Sequence, residues 1–531
     1  MRQIHKSAWL LVLLSAGLQI LIFPLPGIYP LSWVAFVPLI VALLRARIPE
    51  TLQLPGAPVR LPARPVQAFA LAYVCGILWY AGTCYWIYAT MHRYGGLSRP
   101  VALTILILFC LYLGLYQGIF GLLLAWIAGR SSASRRALLT APFLWVAVEL
   151  ARTRITGFPW NLLGVAQVVN IPLARIAVAT GVYGVSFEII LVNTALAAAF
   201  LLRRDKRGML LVAGLSAAVV LQAGRWINPP ALPTDHAALL VQANIPILES
   251  ADWTKEYFEG TLRDLAWLSL NPPGAEPLRH FDLIVWPEAP APFYTSDPYF
   301  RDHLSSVARQ TQSWVLTGSI GTRNATEVPQ QATQVYNSAA LVSPNGEWIA
   351  RYDKVHLVPF GEYVPFKKAL PFMDMLTKEI GDFQRGTSRA PLAADGTKIG
   401  VLICYESIFP NEVREFVAKG AQLLLNISND GWYGDSGAYA QHFNQTRMRA
   451  IENNRWLLSD TNTGVTASVD PYGRVVTRAE RQSRTALVVP YALVSRTSFY
   501  TRHGDWFAWL CAIISLGALV WRFTFRGSRE S

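Results

Sequence analysis

Long apolar runs separated by short polar loops fill residues 1–226, give way to mixed texture over 227–504, and return at 505–525. A helix needs about 20 largely apolar residues to cross a bilayer. Runs of that order near 8–24, 28–44, 66–90, 101–128, 136–151, 173–202, 208–226 and 505–525 are the expected spans. One such run alone is compatible with a buried core helix; a whole series spaced by short loops is not. The fifth is the weakest, because Glu149 lies inside it near its end. The stretch Asn228-Pro-Pro-Ala-Leu-Pro233 then ends the pattern and marks the start of a second region. Short β-branched and aliphatic runs follow at 238–243, 283–286, 314–319, 338–343, 399–403, 422–427, 456–459, 464–469 and 486–489, each of strand length. Ser343-Pro-Asn-Gly346 and Asp470-Pro-Tyr-Gly473 read as hairpin turns with strands on either side. Amphipathic stretches at 254–268, 300–310, 409–418 and 439–454 read as helices. That alternation predicts a layered α/β domain, and no internal repeat or low-complexity segment interrupts it.

Composition sharpens the division. Of 531 residues 52% are hydrophobic and 15% charged, against about a quarter charged in an ordinary soluble protein. The boundaries expected are a transmembrane domain of about seven helices over 1–226, a globular domain over 227–504, and a C-terminal span with a cytoplasmic tail over 505–531. One set of loops carries Arg2, Lys6, Arg45, Arg47, Arg60, Arg64, Arg130, Arg135, Arg136, Arg203, Arg204, Lys206, Arg207, Arg522, Arg526 and Arg529. The intervening loops carry only Arg93, Arg99, Arg152 and Arg154. This asymmetry puts both termini in the cytoplasm and the globular domain outside. The net charge of +13 is then largely a topology signal and does not indicate a nucleic-acid partner. The first run follows Arg2 and Lys6 but has no small-x-small cleavage site before Pro24, so it reads as a retained span.

The five cysteines are Cys75, Cys84, Cys110, Cys404 and Cys511, and all but Cys404 fall in expected spans. The exported domain therefore owns a single thiol with no disulfide partner. Without a Cys-x-x-Cys and with scattered histidines, a zinc site is excluded, and neither metal nor cofactor is expected.

Cys404 stands at the end of an apolar run, in Gly400-Val-Leu-Ile-Cys404-Tyr-Glu406. Most free cysteines fill a core, but this one sits where a buried strand stops and a pocket can begin. Two other strand ends carry chemistry: Leu283-Ile-Val-Trp-Pro287-Glu288, and Arg351-Tyr-Asp-Lys354-Val-His-Leu-Val-Pro-Phe-Gly361-Glu362. An acid, a cation and a thiol at strand ends of one sheet can converge. A thiol is only a few per cent thiolate at neutral pH, so a carboxylate must take its proton. Attack on an acyl carbonyl makes an oxyanion that a fixed ammonium can stabilise. His356, two residues past Lys354, is a rival base.

Trp286-Pro-Glu288, Lys354-x-His-Leu-Val-Pro-Phe-Gly-Glu362 and Cys404-Tyr-Glu406 resemble the Glu–Lys–Cys triad of the nitrilase (carbon–nitrogen hydrolase) superfamily. With its flanking spans, the chain resembles the membrane-anchored members found in bacterial envelopes. The likeness extends to Gly157-Phe-Pro-Trp160, Val241-Gln-Ala-Asn-Ile-Pro246, Ser428-Asn-Asp430-Gly-Trp432-Tyr-Gly434 and Gln441-His-Phe443. It implies an α-β-β-α sandwich outside the membrane joined to a multi-span helical bundle in the bacterial inner membrane, with the catalytic domain periplasmic. It implies Cys404 as nucleophile, Glu288 as general base and Lys354 as oxyanion stabiliser. Glu362 would be a second carboxylate that orients Lys354 or passes the proton. Tyr405 and Glu406 would shape the pocket, and Trp253, Asn337 and Trp432 would touch substrate. The implied reaction is ping-pong: an acyl chain passes from a membrane phospholipid to Cys404, then to the α-amino group of the diacylglyceryl-modified N-terminal cysteine of an apolipoprotein. The apolar loop at 365–376 is the expected lid. The alternatives are a membrane-tethered amidase that sends the acyl group to water, and a non-catalytic receptor or transporter with an inactive domain.

Overall fold

A computed structural model of the protein describes residues 4–48, 61–129, 134–202, 204–223, 229–248, 252–277, 279–288, 291–323, 334–363 and 383–524. The expected lid at 365–376 lies outside the described residues, as do Arg2, Arg60, Arg130, Arg203, Asn228, Arg526 and Arg529. The chain forms two compact units, one of 1–88, 99–229 and 503–531, the other of 89–98 and 230–502. Residues 89–98, expected with the membrane part, thus pack with the globular unit.

The first unit is helical. Among the described residues, Pro65–Thr83, Arg99–Ala128, Val182–Leu201 and Trp506–Thr524 are long and apolar enough to cross a membrane. The other expected spans are shorter or broken. The run near 66–90 ends its helix at Cys84, and a separate helix resumes at Trp86–Arg93. The run near 173–202 is interrupted at Gly181, whose φ of 66° belongs to the left-handed region that glycine tolerates. Lys6–Leu21, Tyr29–Leu44 and Leu210–Val219 are shorter apolar segments. Arg135–Ala151, 17 residues with Glu149 near its end, is not among the long apolar helices. Of the aromatic crowd between Tyr73 and Tyr88, Trp79 and Tyr80 turn inward onto the buried Arg152, whose Nη1 donates to Tyr80 Oη at 2.5 Å and to the Trp160 carbonyl at 3.0 Å. Glu149 Oε1 accepts from the Leu163 N–H at 2.7 Å. Both buried charges spend hydrogen bonds on the chain that follows their helix, Arg152 on Trp160 and Glu149 on Leu163.

The second unit is the layered domain that the sequence predicts. Among the described residues its strands are β1 His236–Gln242, β2 Leu283–Trp286, β3 Trp314–Arg323, β4 Gln334–Val342, β5 Trp348–Asp353, β6 Leu392–Ala394, β7 Thr397–Ile403, β8 Leu423–Ser428, β9 Leu457–Thr461, β10 Ala467–Val469, β11 Val475–Arg478 and β12 Thr485–Tyr491. They form two six-stranded sheets, ordered β12-β1-β2-β3-β4-β5 and β11-β10-β9-β8-β7-β6. The pairs β1–β2, β2–β3, β7–β8 and β8–β9 are parallel, so each needs a crossover. Those crossovers supply α1 Lys255–Leu270, α2 Pro298–Thr311, α3 Pro410–Ala418 and α4 Ala438–Asn453.

Alternation of side chains sorts the layers. Leu239, Val241, Ile284 and Trp286 pack with Leu262 and Leu265 of α1 and Phe300 and Leu304 of α2. Ala238, Leu240, Leu283 and Val285, one residue out of step, point the other way and meet Val401, Ile403, Leu425 and Ile427 of the second sheet. Val413 and Phe416 of α3 belong to the same buried cluster, with Phe416 against Gly400 of β7. The order is helix, sheet, sheet, helix. Both expected hairpins form: Gly346 (φ 81°) and Gly473 (φ 80°) close the β4–β5 and β10–β11 turns, donating N–H to Ser343 and Asp470 carbonyls at 2.8 Å. The three-residue β6 lay below what periodicity can signal.

Phe416 is fully buried, rests on Tyr352 and crowds Gly400 so closely that a Cβ there would lie 2.9 Å from its own. Phe416→Ala should therefore cost about 3–5 kcal/mol of stability. A thermal melt of the full-length protein should show a clearly lowered midpoint; an unchanged one would contradict this account of the core.

Candidate active site

The parallel strands β2, β7 and β8 end on one rim, where ligand sites of α/β sheets occur. Pro287 stops β2, and Glu288 follows at once. Strand β7 runs into a short 3₁₀ turn, Cys404–Ile408, that begins with Cys404 itself. Cys404 has φ of 52°, a conformation that costs a non-glycine residue about 1–3 kcal/mol and that clusters at functional sites. Lys354 follows β5 directly, and its backbone N–H is fixed by the Asn337 carbonyl at 2.8 Å.

These elements bring four side chains together. Lys354 Nζ lies 2.8 Å from Glu362 Oε1 and 3.4 Å from Glu288 Oε1. Asn337, on β4, stands between the same carboxylates: its Nδ2 donates to Glu362 Oε1 at 2.6 Å and to Glu288 Oε1 at 2.8 Å. The outer oxygens are held by main chain, Glu288 Oε2 by the Asn429 N–H and Glu362 Oε2 by the Val358 N–H, both at 2.8 Å. Lys354 is 1% exposed, so its charge depends on these partners. Burial alone would lower its pKa; Glu362 and then Glu288 outweigh that and raise it, so the ammonium persists throughout the neutral range. The Cys404 thiol is driven the other way in function. Burial pushes it well above its ordinary value, the Glu288 carboxylate adds to the rise, and Lys354 offsets it only in part. The resting group is a thiol, and its proton must be removed by a base.

Glu406 does something different. Its Oε2 accepts from the Ile403 N–H at 2.9 Å, and its Oε1 accepts from the Val355 and His356 N–H groups and from Tyr352 Oη at 2.8, 3.1 and 2.7 Å. It ties the end of β7 to the segment carrying Lys354, which sets the distance between thiol and ammonium. Tyr405 packs edge-on against His356 and Phe409. His356, the rival base, stacks on Phe409 and pairs with Glu412 at 2.8 Å, away from the carboxylate network.

The three expected substrate contacts separate. Asn337 joins the centre as the bridge between Glu288 and Glu362, with a buried Oδ1 that accepts no bond from the described residues. Trp432 is 43% exposed, meets Tyr94 edge-on at 5.7 Å and accepts at its carbonyl from Thr90 Oγ1. Trp253 packs on Tyr257 beside the outer core and takes no part in the carboxylate network. Sequence reasoning gave no role to Asn429, Asp430 or His442, which the structure sets behind Glu288 and Cys404. For Asn429 and Asp430 the available signal was the one that exposed Cys404, polar residues at the end of an apolar strand, here β8; for His442, on α4, it was the stretch Gln441-His-Phe443.

Two family models match the chain: carbon-nitrogen hydrolase over residues 238–499, and apolipoprotein N-acyltransferase N-terminal domain over 15–195. An apolipoprotein N-acyltransferase of Geobacter metallireducens is 36% identical, over 98% of this chain and 96% of that relative. One of Shewanella oneidensis is 34% identical, over 79% of this chain and 80% of its own length. A solved carbon-nitrogen hydrolase from Helicobacter pylori aligns over 49% of this chain and 89% of its own with a TM-score of 0.34 and 17% identity.

Lys354→Met should strand two buried carboxylates without a counter-ion. Removing one member of such a buried ion set typically costs about 3–5 kcal/mol. A thermal melt of the full-length variant should therefore show a clearly lowered midpoint; an unchanged one would contradict the network.

Proposed function

The chain belongs to the apolipoprotein N-acyltransferase family, and on that premise we propose that its acyl transfer passes through a thioester on Cys404. It is a bacterial membrane acyltransferase of lipoprotein N-acylation. The observation that carries the finer reading is the buried Lys354, held between Glu288 and Glu362 beside a thiol in a left-handed turn.

In the first half-reaction Glu288 takes the Cys404 proton, and the thiolate attacks an ester carbonyl of a membrane phospholipid. The oxyanion forms beside the Lys354 ammonium, which a dry site makes effective. Collapse breaks the ester C–O bond; the departing alkoxide takes the proton from Glu288 and leaves as lysophospholipid. In the second half, the α-amino group of a diacylated N-terminal cysteine attacks the thioester and gives a proton to Glu288. The C–S bond breaks, the amide forms, and the proton returns to sulfur. Glu362 and Asn337 keep Lys354 and Glu288 in register throughout. The spans support lipid-anchored substrates, because soluble amides would not require them. The distribution of Lys and Arg supports a periplasmic catalytic domain with both termini cytoplasmic.

Incubated with phospholipid alone, the purified protein should acquire a mass increase of one acyl chain on the peptide containing Cys404. Cys404→Ala should lose the adduct and the transfer together, and Glu288→Gln should lower acylation at least about a hundredfold while the protein stays folded. An acyl adduct that survives in Cys404→Ala would remove the nucleophile from this scheme. Free fatty acid without N-acylated lipopeptide would favour hydrolysis. A membrane-impermeant thiol reagent should reach Cys404 only from the outer side of sealed vesicles; labelling confined to the cytoplasmic side would reverse the orientation.

A further inference from the structure

A second titratable pair lies against the nucleophile, and the acyl-transfer scheme leaves it unused. Helix α4 presents His442 to the turn after β7. Its Nδ1 is 3.1 Å from Asp430 Oδ1, and its Nε2 is 3.1 Å from the Cys404 carbonyl oxygen and 3.0 Å from Ser407 Oγ. A carboxylate and a peptide carbonyl only accept hydrogen bonds. The ring can satisfy both only by donating from both nitrogens, as an imidazolium. Ser407, which accepts from Thr446 Oγ1 at 2.8 Å, can share the Nε2 proton. His442, Asp430, Ser407 and Thr446 are all at most 2% exposed, so these contacts are shielded from water.

Asp430 is itself fixed. Its Oδ1 accepts from Ser428 Oγ at 2.6 Å, and Gly464 approaches so closely that a Cβ there would lie 2.2 Å from Oδ2. The neighbouring Asn429 N–H holds Glu288. One short loop therefore fixes the base on one side and, through His442, the nucleophile's main chain on the other.

We infer that the Asp430–His442 pair is the positioning element of the nucleophile: His442 holds the Cys404 carbonyl, keeps residue 404 in its left-handed conformation and sets a positive charge under the thiol. This rests on Cys404 being the nucleophile. The groups that bear on the ring are Asp430 and Tyr433 from the turn after β8, Cys404 from the turn after β7, and Glu288 from the end of β2. Burial alone would lower the pKa of His442, but Asp430 outweighs it and raises it. The imidazolium favours the thiolate that forms when Glu288 takes the proton and offsets the Asp430 carboxylate, which by itself opposes it.

The test follows alkylation of Cys404 by iodoacetamide in the full-length protein, read by mass spectrometry of its peptide between about pH 6 and 10. It is paired with steady-state transfer from a defined phospholipid to a diacylated lipopeptide. His442→Leu should move the alkylation profile up by about one pH unit, a tenfold loss of thiolate at a given pH. The same variant should lower kcat about tenfold with KM for phospholipid unchanged. His442→Gln, which keeps one N–H donor, should recover part of both losses. A wild-type profile and kcat in His442→Leu, or a change in KM alone, would overturn the inference. Should His442→Leu not fold, His442→Gln carries the test by itself, with a smaller upward shift expected and a wild-type profile overturning the inference. If Cys404→Ala still forms an acyl-enzyme, the nucleophile reading fails and this one with it. If Cys404→Ala is inert while His442→Leu is normal, only the positioning role fails.

Discussion

A lysine ammonium taken fully out of water needs compensating charge, and that need organises the centre of this protein. Lys354 has two carboxylates within hydrogen-bonding range of one nitrogen, and the same carboxylates share an asparagine donor. Breaking such a buried set by removing one member typically costs about 3–5 kcal/mol, so the surrounding fold holds all of them or none. The outer oxygen of each carboxylate accepts from main chain: Asn429 for Glu288, Val358 for Glu362. The network therefore reaches from β2 to β4, β5 and β8, and ties loops of both sheets into one rigid rim.

That rim separates fixed charge from labile charge. Lys354 keeps its proton because its neighbours overcompensate its burial, whereas Cys404 keeps its proton because burial and Glu288 oppose the thiolate. A resting thiol beside a permanent cation is a poised arrangement: ionisation waits for a base and a substrate, and the oxyanion donor is already in place. Glu406 contributes only distance, since its two oxygens are filled by four donors that lock β7 to the Lys354 segment. His442 and Asp430 complete the support from behind.

The helical unit obeys the same rule with fewer charges. Arg152 and Glu149, three residues apart, bind the main chain of Trp160 and Leu163, and Arg152 also donates to the Tyr80 hydroxyl. Arg152 counted as a loop charge in the orientation argument, yet it is 2% exposed and structural. Charge statistics along a loop report topology, and a single member of the set can serve packing instead.

Apolar period and turn chemistry determined the division into a helical part and a layered part, the strand ends bearing Glu288, Lys354 and Cys404, and the two Gly-closed hairpins. Those are local properties: alternation follows from the pleat, and a glycine at positive φ follows from the turn. Local pattern did not decide that the run near 173–202 would break at Gly181, nor that residues 89–98 would pack with the globular unit. It did not assign Asn337 to the space between two carboxylates, turn His356 toward Glu412, or bring His442 beneath Cys404. Each of those depends on which side chain a distant strand presents at a given depth, a fact of sheet order and register that no stretch of sequence contains by itself.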